Sequence, residues 1–196
     1  MHKLEQDQNW RSTLSQLKVE FEHESDRACV IIASTMLDNA LTRILVGYLC
    51  PSTSSDDELL DGPQAPLHSL ASRIHISYRL GLISSRLARD LHLIRKIRNQ
   101  FAHNIEGCSF EVPRKQDRIR DLARSTQILK SLGPARENYP PGARGEFELS
   151  VYHILFYLIF KAGDLQQMSY IEDEPLYDVS FWEAAWERLK KRDKSK

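Results

Sequence analysis

Glycine is scarce in this chain, with eight residues among 196, and none stands in a Gly-x-Gly-x-x-Gly or Walker pattern. A backbone cradle for a nucleotide phosphate is therefore not expected. Cysteine is scarcer still. Cys29, Cys50 and Cys108 are odd in number and show no Cys-x-x-Cys spacing, so neither a disulfide framework nor a zinc site is read from them. Two of them lie in apolar runs, where a free thiol behaves as a small hydrophobe. They have no visible activating partner, which leaves thiol catalysis unsupported. A His-Glu-x-x-His pair and an EF-hand loop are missing too, and no metal or other cofactor is expected. His68, His75, His92 and His153 are dispersed and read as ordinary surface or core histidines.

Long apolar runs are also lacking. The most apolar stretch, Phe147 to Phe160, contains Glu148 and His153 and is too short to span a bilayer. It reads as a buried core helix. The N-terminus, with Glu5, Asp7 and Gln8, does not look like a signal peptide, and a reduced, cytoplasmic setting with no membrane partner is the expectation. Net charge is zero, with 27 basic and 27 acidic residues. That balance hides a separation. From Arg73 to Arg98 seven basic residues face the single acid Asp90, while acids gather in Asp56-Asp57-Glu58 and Glu172-Asp173-Glu174. A local cationic patch can steer an anionic partner even in a neutral molecule.

What the chain does have is helical periodicity, with almost no strand alternation. A polar first helix is expected over about Asn9 to His23. Ser25 or Asp26 then caps a second helix reaching about Leu49, whose stripe is Val30, Ala33, Leu37, Leu41, Ile44 and Tyr48. A loop follows from Pro51 to Pro63. A third helix is expected from near Pro66 to Leu80, stopped by Gly81, and Ser84 or Ser85 opens a fourth. Cys108 to Val112 is expected to be a short extended piece. A mostly polar fifth helix is placed over Arg114 to Leu132, a Pro/Gly loop over Gly133 to Gly145, and a central apolar sixth helix over about Gly145 to Leu165. Phe181, Trp182 and Trp186 precede a basic tail. These elements predict an all-α fold, a single-domain bundle of about six to seven helices. Its parts are an N-terminal helix (1–24), a bundle core (25–170), and a C-terminal helix with its tail (171–196).

The fourth helix ends in Arg98-Asn99-Gln100-Phe101-Ala102-His103. At about 100° per residue, Arg98 falls near the middle of the stripe set by Leu87, Leu91, Ile94 and Ala102. An inward guanidinium needs a partner, because an unpaired buried charge is costly. Two readings stay open. Arg98 is a structural lock held by an acid such as Asp38, or it belongs to a polar site. Asn99 and His103 are four apart and share a face. A titratable imidazole, an amide and a fixed cation together form a kit for cutting a phosphodiester without a metal. One such helix is a thin active site, so two copies facing each other in a dimer are expected. Arg86, Arg89 and Lys96 fall on the outward face of the same helix and are candidate nucleic-acid contacts.

The run Asp61-Gly62-Pro63 … Pro66-Leu67-x-Ser69-Leu70-Ala71-x-Arg73-Ile74-x-Ile76-x-Tyr78-x-Leu80-Gly81-Leu82-Ile83, then Asp90-Leu91-x-x-Ile94-Arg95-x-Ile97-Arg98-Asn99-x-Phe101-Ala102-His103, resembles the mannitol operon repressor family of bacteria. The likeness covers about residues 25 to 105, weakens toward residue 165, and is absent beyond Ile171. It implies an all-helical, self-associating intracellular regulator without a recognised DNA-reading module. The Arg-Asn-x-x-x-His signature also resembles the HEPN superfamily, many members of which are metal-independent, dimeric ribonucleases. In those enzymes the positions matching Arg98, Asn99 and His103 carry the site. The favoured expectation is a transcription-linked regulator acting mainly through protein–protein contacts. The alternative is a toxin-like endoribonuclease using Arg98, Asn99 and His103. Helix-turn-helix DNA binding through the Tyr78–Ser84 turn ranks below both, since the turn reads as an ordinary helical hairpin.

Overall fold

In a computed structural model the described residues are 15–103, 108–127, 139–171 and 178–193. Among them are seven helices and no strand. They are α1 (15–23), α2 (Asp26–Tyr48), α3 (Leu70–Arg79), α4 (Ser85–His103), α5 (Pro113–Thr126), α6 (Gly142–Gly163) and α7 (Val179–Asp193). The all-α bundle is thus the fold.

Local chemistry sets the helix ends. The Ser25 hydroxyl accepts from the Ala28 N–H at the start of α2, and the Ser84 hydroxyl accepts from the Leu87 N–H at the start of α4. α3 begins at Leu70, four residues later than Pro66, because Ser69 and Ser72 form a reciprocal capping box there. Behind α3, Gly81 takes a φ of +72°, which lets the Leu82 N–H turn back onto the Ser77 carbonyl at 2.9 Å. α5 stops at Thr126, where Gln127 adopts a left-handed φ of 54°. The expected extension toward Leu132 falls on residues outside those described. The extended piece expected at Cys108–Val112 is instead a turn entering α5. It is tied to the bundle by the Phe110 N–H donating to Asp26 Oδ2 at 2.9 Å.

Two apolar helices form the centre. α2 packs along α6 and against α4, α5 lies on α6 and α4, and α3 leans on α2 and α4. Val30, Ala33, Leu37, Leu41 and Ile44 of α2 meet Phe147, Val151, Ile154 and Leu158 of α6, with Leu91, Ile94, Ile97 and Phe101 from α4, in one fully buried cluster. α2 is long and apolar enough to cross a membrane by length and composition. Its buried stripe is the middle of the bundle, and a core helix passes the same test.

Polar ties pin the layers. The Arg144 guanidinium of α6 donates to Asp26 and Glu148, each at 2.9 Å, and also to the carbonyls of Phe21 and Glu24. Thus α1, α2 and α6 share one cation. α7 presents Phe181, Trp182 and Trp186 with 45%, 43% and 59% of their surface exposed.

Candidate functional site

α4 carries all six candidate site residues, Arg86, Arg89, Lys96, Arg98, Asn99 and His103, and it presents them on more than one face. Arg98 is exposed. The expectation of an inward-turned guanidinium is therefore corrected, and so is the idea that Asp38 holds it. The cause lies in the stripe used to place it. Leu87 is only half-buried and Ala102 is exposed, so the packed face over the last turns is Ile94, Ile97 and Phe101. Arg98 lies at the edge of that narrower face, from which its long stem reaches water. Its Nη1 donates to Asn99 Oδ1 at 3.0 Å. Asn99 is half-buried, and His103, the last residue of α4, is exposed. The trio is thus a surface feature at a helix end, with Arg98 and Asn99 in direct contact and His103 one turn further along the face of Asn99.

The upstream half of that face opens onto a groove of about 1400 Å³ between α3, α4 and the end of α5. His75 and Tyr78 line it from α3. Arg86, Arg89, His92, Arg95 and Lys96 line it from α4, and Asp121, Arg124 and Ser125 from α5. Among the described residues five cations thus line the groove with one open carboxylate. The three candidate nucleic-acid contacts all border this groove, but they are not equivalent. Arg86 is spent on structure, donating to the backbone carbonyl of Ser125 and, at 3.4 Å, to its hydroxyl. Arg89 reaches the buried Asp90 at 3.1 Å while its own side chain stays 63% exposed. Lys96 stands open to solvent.

Asp90 explains how α5 is held at this edge. Its carboxylate is almost completely buried, and Oδ2 accepts from the Ser125 hydroxyl at 2.5 Å. An apolar-looking helix keeps one buried acid because two neighbours satisfy it.

Two of the histidines read as dispersed come together. The rings of His75 and His92 lie 4.6 Å apart, centre to centre. Burial lowers the His92 pKa below the usual imidazole value, and the charges of His75, Arg95 and Lys96 push it the same way. His92 Nδ1 and Arg95 Nε are both enclosed and have no hydrogen-bond partner among the described residues. The sequence signal that was passed over is spacing. Residues 85, 89, 92, 96, 99 and 103 are three or four apart, so the groove-lining face of α4 runs on to Asn99 and His103. Arg124 could not have been assigned from spacing, because it arrives from another helix.

None of the three cysteines is among the residues that line the groove. Burial raises the Cys29 thiol far above its ordinary value, and Glu148 adds to the effect. The Cys108 sulfur takes a hydrogen bond from Arg27 at 2.8 Å. Among the described residues no three His, Cys, Asp or Glu side chains converge as metal ligands would. No family model, curated protein or solved structure is found to match the chain.

Proposed function

We propose that this protein acts on RNA as a metal-independent endoribonuclease of the HEPN type, with Arg98, Asn99 and His103 as its catalytic residues. The observation that carries the reading is the Arg98–Asn99 contact of 3.0 Å, exposed one turn before an exposed His103 at the end of α4. A cation fixed by an amide, beside an imidazole, is what in-line transesterification asks for. His103 takes the proton from the 2′-hydroxyl as that oxygen attacks the neighbouring phosphorus. The bond to the 5′-oxygen breaks, giving a 2′,3′-cyclic phosphate and a 5′-hydroxyl. The leaving oxygen also needs a proton, and one imidazole cannot serve both oxygens at once. Two copies of α4 brought together in a homodimer would supply the second His103. The Arg98 guanidinium stabilises the charge gathering on the phosphoryl oxygens, and Asn99 holds that guanidinium in place.

The direct test is incubation of single-stranded RNA with the protein in EDTA. Cleavage is expected from the wild type, and His103→Ala and Arg98→Ala should lose it by at least about 100-fold. Equal cleavage by wild type and His103→Ala would overturn the assignment.

A second reading is a cytoplasmic regulator of the mannitol-repressor type, working through protein contacts. The Asp61–His103 likeness supports it, as do exposed aromatic side chains: Tyr157 on α6, with Phe181 and Trp186 on α7. An RNA-inert protein that forms a stable oligomer, with Trp186→Ala weakening self-association, is the outcome that reading expects.

A further inference from the structure

We infer that the groove between α3, α4 and α5 is a cradle for single-stranded RNA, separate from the Arg98–His103 end and feeding it. The inference deepens the ribonuclease reading by naming its substrate class and path.

The groove joins two features that single strands require together. One is a line of cations for the phosphates. Lys96 is exposed, Arg124 keeps 76% of its side chain in solvent with only a 3.8 Å contact to Asp121, and Arg89 keeps 63%. The other is a set of flat rings for bases. His75 is exposed and its ring lies 4.6 Å from that of the half-buried His92, and Tyr78 is 46% exposed one turn from His75. A duplex hides its base faces and offers only phosphates and groove edges, so exposed rings would be wasted on it. A single strand offers both its backbone and its π-faces. An acidic peptide would use the cations but leave the rings without a matching partner.

Geometry supplies the direction. On α4, Lys96 lies within about 60° of Asn99 and His103, and His103 is about 10 Å further along the axis. A strand whose phosphates sit on Arg89 and Lys96 is therefore carried along one helix face to the reacting end. Among the described residues Asp121 and Asp90 are the acids that face the groove's cations. Asp90 is buried against Ser125 and Arg89, which leaves Asp121 as the one open carboxylate among the described residues that line the groove.

The test uses a fluorescent, single-stranded 2′-O-methyl RNA of roughly twelve nucleotides, a length within the range that single-strand sites cover. It lacks the free 2′-hydroxyl, so binding is read without cleavage. Anisotropy titrations on the full chain should show salt-sensitive binding. K96E/R124E should weaken it more than tenfold, and Tyr78→Ala roughly fivefold or more, both with unchanged melting temperature. Duplex RNA of the same length should bind more weakly than the single strand. The proposal is overturned if the wild type fails to bind at low salt, if duplex binds as well, or if a polyglutamate peptide competes equally. Binding with this pattern in a protein that never cuts cleavable RNA would remove the catalytic reading and leave the cradle standing.

Discussion

Asp38 Oδ1 lies 2.8 Å from the Arg73 guanidinium, pairing α2 with α3. The same guanidinium donates to the Leu67 carbonyl at 2.8 Å and to the Leu60 carbonyl at 3.1 Å. One cation therefore fixes α3 to α2 and folds the Pro51–Ser69 loop onto both. The side chains are only 12% and 28% exposed, so water replaces little of what is lost. Arg73→Ala should lower stability by about 2–3 kcal/mol, read as a lower urea midpoint with unchanged slope. A midpoint within error of wild type would show that this junction is not a lock.

That pairing also shows where reading the sequence stops. Helix number and most helix ends were legible, because Ser25, Ser84 and Gly81 announce themselves by local chemistry. The central stripe of α2 was legible for the same reason, since it repeats over several turns. Arg98 was misplaced because the stripe of α4 was averaged over its whole length, and the packed face narrows toward the end of the helix. Asp38, one candidate partner for Arg98, pairs instead with Arg73, because the choice between them depends on which helix crosses α2 at that level. The trio was legible as a pattern. The groove beside it was not, since it exists only once α5 brings Arg124 against α4.

Exposure makes a sharp stability statement about that trio. Because Arg98 and His103 lie in solvent, Arg98→Ala and His103→Ala should each change unfolding free energy by no more than about 0.5 kcal/mol. Chemical denaturation checks this. A loss of several kcal/mol in Arg98→Ala would restore the buried-lock reading and remove the open site.

The Asp90–Ser125 hydrogen bond is the opposite case. Removing the hydroxyl leaves a buried carboxylate short of a donor, so Ser125→Ala should cost about 1–3 kcal/mol and lower the melting temperature. A neutral substitution would mean that Arg89 alone satisfies Asp90.

Glu148 gives a pH signature. Burial raises its pKa above the ordinary 4.5, outweighing the Arg144 hydrogen bond and charge that lower it. The folded state therefore keeps a proton that the unfolded chain has released. The stabilisation this gives is full below pH 4.5 and is lost as pH rises through the folded value. The stability difference between wild type and Glu148→Gln, followed by urea unfolding from about pH 4 to about pH 7, should shift against the wild type as pH rises. A shift in its favour would reverse the sign of the burial effect.

The chemistry proposed for the end of α4 would leave its mark on the RNA fragments themselves. Attack by a 2′-hydroxyl under His103 predicts fragments ending in 2′,3′-cyclic phosphate, with 5′-hydroxyls on the other side of each cut, formed in EDTA and absent with His103→Ala. Mass spectrometry of the products reads both ends in one experiment. Fragments with 5′-phosphates and 3′-hydroxyls, or intact RNA after prolonged incubation, would contradict the catalytic role given to Arg98, Asn99 and His103.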